Sequence, residues 1–258
     1  MEVTLRVRGA RRHFGATRAL EHVSVQLQAG EWTGLVGSNG AGKTTLIRCI
    51  AGLEKLDAGE VEFPLDDGSG DPRVGVVPQE IALYPLLTAR ENLQVFGRLN
   101  GLRGAVLRDR IAWALAFTAL EERADDRVGT FSGGMKRRLN IACSVLHRPR
   151  VVLLDEPTVG VDPPGRERIW TMLRTLCDEG ASLIQSTHQL DAVQAVCDRI
   201  LLMNAGRLVA SVRAEGFAKG GLGGARRLRL VLDRTPEEEI DLGPTCRIRG
   251  RVVEGVLH

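Results

Sequence analysis

No stretch of this 258-residue chain approaches the roughly 18 consecutive apolar residues that a membrane-spanning helix needs. The opening Met1-Glu2-Val3-Thr4-Leu5-Arg6 lacks the apolar core of a secretion signal. Cysteine is sparse: Cys49, Cys143, Cys177, Cys197 and Cys246 form no C-x-x-C pair and no His/Cys cluster at metal-ligand spacing. That argues against a zinc module and a disulfide framework, and predicts reduced core thiols in a cytosolic protein. Nor is there a large excess of one charge. A net charge of +3 is too mild to argue for nucleic acid or an anionic membrane surface. What is present is ordinary globular composition, 43% apolar and 26% charged, in a chain long enough for one large domain with a small appendage.

Along the chain, Val23-Ser24-Val25-Gln26-Leu27 alternates with the period of a half-buried strand. The apolar run Trp32 to Val36 reads as a strand that ends directly in a glycine-rich loop, with a helix from Lys43 to Ala51 stopped at Gly52. Val74 to Val77 is another strand. Between Thr88 and Glu122 no strand-like run occurs, and helix-forming sequence predicts a helical insertion. A helix follows from Gly133 to His147, with Met135, Leu139, Ala142, Cys143 and Leu146 on one face. Strands then alternate with helices: strand 151–154, helix 166–177, strand 182–185, helix 190–196, strand 200–203. Buried strands alternating with helices predict a parallel sheet covered on both faces. A glycine cluster, Lys219 to Gly224, marks a joint before a β-rich tail of residues 226–258. No internal repeat is present.

Gly37-Ser38-Asn39-Gly40-Ala41-Gly42-Lys43-Thr44 has the spacing of a phosphate-binding loop, between a strand and a helix as that motif requires. Glycines let the backbone wrap a phosphate closely, and N–H groups converge at the positive end of a helix. Lys43 adds a mobile point charge for the outer phosphates, and the Thr44 hydroxyl can ligate Mg²⁺.

Four further segments take meaning from this loop. The apolar strand Val151 to Leu154 runs into Asp155 and Glu156, and carboxylates at the end of a buried strand call for a cation. Asp155 is placed to hold Mg²⁺ through water, and Glu156 to polarise an attacking water. Ser132-Gly133-Gly134 offers an N-cap hydroxyl and bare N–H groups at a helix start, a second anion site. The cations that follow, Lys136, Arg137 and Arg138, read as a solvated helix turn. Gln79 and His188 each follow a predicted core strand, where ligands sit in open α/β sheets. Asp162 lies in the turn Val159 to Pro163.

In this order, from about Leu5 to Arg213, these segments resemble the nucleotide-binding subunit of an ATP-binding cassette (ABC) transporter. Gly37 to Thr45 matches the Walker A motif, Gln79 the Q-loop, Phe131 to Met135 the signature, Val151 to Glu156 Walker B, Asp162 the D-loop and His188 the switch histidine. The resemblance implies an α/β, P-loop NTPase core with a parallel sheet flanked by helices. It adds an N-terminal antiparallel β-subdomain, a helical insertion at about 85–148 and a small C-terminal β-rich appendage. It divides the chain into an ATPase domain, 1–218, and the appendage, 219–258.

By the same resemblance the cofactors are ATP and Mg²⁺. Phe14 would stack on adenine. The loop from Gly37 to Thr45 would bind the phosphates, including Ser38, Asn39, Gly40, Ala41 and Gly42. Thr44, Gln79 and Asp155 would hold the metal, and Glu156, His188, Gln79 and Lys43 would serve hydrolysis. Two cassettes pair head to tail in that family, so Ser132, Gly133, Gly134 and Asp162 would close over the partner's nucleotide. The implied partners are a separate membrane permease and a second nucleotide-binding subunit, with a homodimer the simpler case, no nucleic acid, and a place on the cytoplasmic face of the membrane. The signature reads Phe-Ser-Gly-Gly-Met in place of Leu-Ser-Gly-Gly-Gln, so the usual Gln side chain is missing at Met135. Ser-Gly-Gly-Met-Lys-Arg-Arg-Leu is similar to exporters of the daunorubicin-resistance, or ABC-2, type. The alternatives are a non-transport cassette acting on ribosomes or DNA, and a regulatory cassette with little turnover.

Overall fold

A computed structural model describes residues 2–64 and 74–213, except the side chains of 191–192, together with the backbone of Arg226–Val231, Cys246–Arg249 and Val252–Leu257. In chain order the elements begin with β1 (Val3–Phe14), β2 (Thr17–Gln28), β3 (Trp32–Val36), α1 (Lys43–Ile50), β4 (Ala58–Glu62) and β5 (Val74–Val77). Next come α2 (Ala89–Leu99), α3 (Gly104–Thr118), α4 (Gly133–Val145), β6 (Val151–Asp155), α5 (Pro163–Asp178) and β7 (Ser182–Thr187). The chain closes with α6 (Leu190–Gln194), β8 (Arg199–Asn204), β9 (Arg207–Arg213), β10 (Arg226–Val231), β11 (Cys246–Arg249) and β12 (Val252–Leu257). Two compact units divide them, Met1–Leu65 with Ile184–His258, and Asp66–Leu183.

In the first unit β1 and β2 form an antiparallel hairpin, and β4 pairs antiparallel on the other side of β1. The inward positions of β2, Leu20, Val23, Val25 and Leu27, are buried while the alternate ones face outward, as the period-2 pattern predicts. β4 has almost no apolar sequence. It is an edge strand tied by an exposed ion pair from Arg8 to Glu60 (3.0 Å) and a half-buried one from Arg6 to Glu62 (3.5 Å), each contributing less than about 1 kcal/mol. β3 is buried at all five positions and runs parallel to β8, within the order β7-β3-β8-β9. Its start is fixed by a reciprocal pair: Trp32 N donates to Asp198 Oδ2 (2.8 Å) and Asp198 N to Trp32 O (2.8 Å). The tail strands form a three-stranded antiparallel sheet in the order β10-β12-β11, while the Lys219 to Gly224 joint lies outside the described residues.

In the second unit β5 and β6 are parallel, in the order β5-β6-β7, and α2, α3 and α4 share one apolar core. The α4 face named from sequence is inside it: Leu139, Ala142, Cys143 and Leu146 are buried, with Met135 packed at the edge. Burial pushes the Cys143 thiol far above its ordinary pKa, which makes it inert. α2 opens on a capping box, with Thr88 Oγ1 accepting from Glu91 N (3.1 Å) and Glu91 Oε2 from Thr88 N (2.8 Å).

Helices α3 and α4 exchange arginines. Arg110 Nε on α3 donates to Leu146 O at the end of α4 (2.7 Å), with its guanidinium 3.8 Å from the Trp113 ring centroid. Arg138 Nε on α4 donates to Thr118 O at the end of α3 (2.9 Å). Each cation thus satisfies a buried orphan carbonyl at the negative end of the other helix. Burial lowers the Arg110 pKa to about 10, which leaves it charged at neutral pH.

The α/β class with an antiparallel N-terminal part, a helical insertion and a C-terminal β part is the one expected from sequence. The solvated reading of Lys136 to Arg138 is overturned for Arg137 and Arg138, while Lys136 stays half-exposed. Arg137 and Arg138 are 6% and 9% exposed, and all three cations donate to backbone carbonyls, at Gly129, Pro78 and Thr118 respectively. α4 is buried on nearly every side, and tertiary packing overrides the usual preference of charge for water.

Candidate nucleotide site

The glycine-rich loop, Phe14 and His188 all lie in the first unit. β3 ends at Val36, the loop turns through 37–42, and α1 begins at Lys43 with Gly42 as its N-cap. Two of the glycines are forced by the chain's own packing. A Cβ on Gly37 would stand 2.3 Å from Met203 O. On Gly42, whose φ is +100°, it would stand 2.3 Å from Ala19 O. Gly40 also has a positive φ, +82°, but with open space around it. The loop is pinned from inside by Ala41 N donating to Ser38 O (3.2 Å) and from outside by Gly206 N donating to Ala41 O (3.0 Å).

Lys43 is 7% exposed, and its Nζ reaches back across the loop to donate to Gly37 O (2.8 Å) and Ser38 O (3.0 Å). An ammonium has three donors, and these contacts hold it over the mouth of the loop, where an anion would be drawn. Thr44, Ser38, Asn39 and Gly40 are exposed, and Thr45 is half-buried. The first turn of α1 carries no acid to compete with an anion.

Phe14 is the last residue of β1 and is 45% exposed. One face of its ring is covered by the Arg12 guanidinium, 4.5 Å from the centroid. Arg12 is itself locked by Asp57 Oδ1 (2.9 Å) and Glu54 Oε2 (3.1 Å). The His13 backbone N–H, followed by Arg12, holds the Asp57 carboxyl below the ordinary range. A ring backed on one face leaves the other as its stacking surface. Sequence reading names Phe14 but not Arg12, whose pairing with residues some 40 positions away leaves no local signal. His188 follows β7 directly and is exposed.

The second unit holds Gln79, Ser132 to Gly134, Asp155, Glu156 and Asp162. β6 is buried at every position and ends on Asp155, 7% exposed. Glu156 then takes a left-handed backbone (φ +48°), a conformation that costs a non-glycine residue energy and collects at functional sites. Asp162 is the N-cap of α5, with Pro163 in the first helical position. Its carboxylate lies over Gly165, where a Cβ would stand 2.7 Å from Oδ1. Ser132 is the N-cap of α4, its Oγ accepting from Met135 N (3.2 Å). Gly133 and Gly134 differ from the loop glycines: neither has a positive φ, and a Cβ on either would meet no described atom within 4 Å. Gln79 is exposed just after β5 and Pro78.

A strand, a glycine-rich turn, a helix and a buried carboxylate strand of this kind define a P-loop ATP-binding cassette. Residues 20–159 match the family described as ABC transporter, and the chain belongs to that family, as an ATP-binding ATPase subunit. It is 39% identical over 211 residues to the linearmycin resistance ATP-binding protein LnrL of Bacillus subtilis (strain 168), covering 80% of this chain and 68% of that protein. It is 40% identical over 211 residues to the Nod factor export ATP-binding protein I of Ralstonia nicotianae, covering 80% of this chain and 66% of that one. Among solved structures it is similar to the dimeric form of a bacterial ABC transporter cassette, with a TM-score of 0.72 and 27% identity over 83% of this chain and 100% of that one. Among the described residues no helix is long and apolar enough to cross a membrane. ABC cassettes of this kind act with membrane permeases and form dimers.

Proposed function

We propose that the chain powers an exporter, hydrolysing ATP as a head-to-tail homodimer on the cytoplasmic face of a separate permease. In this reading the loop from Gly37 to Thr45 holds the phosphates, Phe14 stacks on adenine, and Thr44, Gln79 and Asp155 hold Mg²⁺. When bound, Mg²⁺ would neutralise charge on the β- and γ-phosphates. Hard oxygen donors, a hydroxyl, an amide and a carboxylate, are the set Mg²⁺ prefers. Glu156 accepts a proton from the attacking water, His188 orients the γ-phosphate, and Asp162 meets the partner subunit.

The observation that carries the dimer is the pair of glycines at Gly133 and Gly134. Nothing described in this chain's own packing calls for glycine at either position, so their missing side chains are explained by something that approaches from outside. An N-cap hydroxyl and the N–H groups of a helix start suit a γ-phosphate held by another copy. Export is supported by the two relatives, one a resistance protein and one an export protein by name. The docking face for the permease is the exposed apolar stretch Ile81, Tyr84 and Leu86 that follows Gln79.

Glu156→Gln tests the reading. With Mg²⁺ and ATP the variant is expected to hydrolyse about 10²- to 10⁴-fold more slowly than the parent, and to run as an ATP-bound dimer in light scattering. A variant that turns over at the parental rate and stays monomeric with ATP would sink the assignment.

A further inference from the structure

The exposed segment that carries Gln79 is tied at both ends to one face of the signature helix. Arg137 Nη1 donates to Pro78 O (3.2 Å), immediately before Gln79. Ala82 N donates to Asn140 Oδ1 (3.0 Å), three residues after it. Arg137 and Asn140 stand at i and i+3 on α4 and are 6% and 2% exposed, whereas Gln79, Glu80 and Ile81 between the ties are exposed. Ser132, the α4 N-cap, lies five residues before Arg137, about 7.5 Å along the helix axis.

Energetics make Arg137 a poor choice for stability alone. Its guanidinium is desolvated, which lowers its pKa, and its buried Nε has no hydrogen-bond partner among the described residues. Replacing such a buried cation by an apolar side chain of similar volume is often neutral or stabilising. What the cation supplies is a fixed distance between a loop carbonyl and a helix.

We propose that Arg137 and Asn140 are positioning residues that clamp the segment Pro78–Ala82 to α4, so that Gln79 and Ser132 move as one body during the ATPase cycle. This rests on the roles given above to Gln79 and Ser132. A displacement of the Gln79 segment then reaches the signature through two hydrogen bonds that meet the main chain on either side of Gln79, and the clamp matters because it sets where the Gln79 side chain stands. These two ties are the described polar links from α4 to the segment Pro78–Ala82.

The test is a mutant cycle on the full-length protein. Arg137→Met removes the donor, Asn140→Ala removes the acceptor without burying a charge, and Arg137→Lys restores a donor. Steady-state ATPase is expected to show kcat down about tenfold for Arg137→Met and for Asn140→Ala, the loss of one hydrogen bond made by or to a strong partner. KM for ATP should stay within about twofold, because the phosphate loop is untouched. Arg137→Lys should recover part of the rate, and melting temperatures should stay near the parent's. In a Gln79→Ala background the same substitutions should cost nothing further, since the clamp acts through that segment.

A Gln79→Ala variant as active as the parent would overturn the role of Gln79, and the clamp with it. An impaired Gln79→Ala variant, combined with Arg137→Met or Asn140→Ala that keep the parental kcat or multiply the defect independently, would overturn the clamp alone. Asn140→Ala carries the cycle if Arg137→Met fails to fold.

Discussion

The chain contains two glycine-rich helix starts, and they use glycine for opposite reasons. At Gly37 and Gly42 the glycine serves the chain itself, because Met203 O and Ala19 O occupy the space a Cβ would need. At Gly133 and Gly134 the space is open and the backbone is ordinary helix. The first site is therefore built by folding, and in the proposed function it would hold a phosphate within a single subunit. The second is left bare at a small cost in helix propensity, below the roughly 1 kcal/mol of a glycine in a helix interior, which folding alone does not recover. One chain holds a finished half-site and an unfinished one, and the unfinished half is what a second copy completes in the proposed dimer.

Substitutions can break this contrast, and their expected effects on stability descend in order. Gly42→Ala should be the most damaging, costing about 3 kcal/mol or more from a left-handed backbone and a carbonyl clash. Urea denaturation would show the midpoint fall, and a fluorescent ATP analogue would no longer bind the monomer. Ser132→Ala should cost about 1 kcal/mol as a lost N-cap, with ATP-dependent dimerisation weakened and monomer binding of ATP intact by the same two assays. Gly134→Ala should leave stability unchanged or raise it by about 0.5 kcal/mol, yet abolish ATP-dependent dimerisation and hydrolysis. If Gly134→Ala lowered the urea midpoint as far as Gly42→Ala does, the two glycine pairs would share one role and the contrast would fail.

The sequence made the first of these sites legible almost to the residue. β3 at Trp32–Val36, β5 at Val74–Val77 and the start of α1 at Lys43 fall where apolar runs and the glycine spacing put them. Elements whose identity is not written in apolar pattern were missed. β1 runs twelve residues, but its pairing with β2 shifts register between Val7 and Ala10, near Gly9 with φ +56°, and that scrambles the alternation. β4 and β9 lie at sheet edges, where half-exposed sequence carries little hydrophobic signal. α5 starts three residues before the expected Arg166, because Pro163 and Pro164 read as a turn yet occupy the first helical turn. The largest misreading concerned charge. Arg137 and Arg138 looked solvated because a guanidinium usually is, and only the carbonyls they meet, at Pro78 and Thr118, reveal why these are buried.

The exchange of arginines between α3 and α4 has a consequence for how this part of the molecule comes apart. Each helix is capped by a residue that belongs to the other, so fraying at the end of one strips a hydrogen-bond partner from the first half of its neighbour. Neither helix can open far without the other. In hydrogen exchange the carbonyl ends of the two helices, ordinarily the first turns to lose protection, should open late and together, as one cooperative foldon. Loosening at Arg110 would thus be felt near the signature, at Arg138, through the shared opening of two helices.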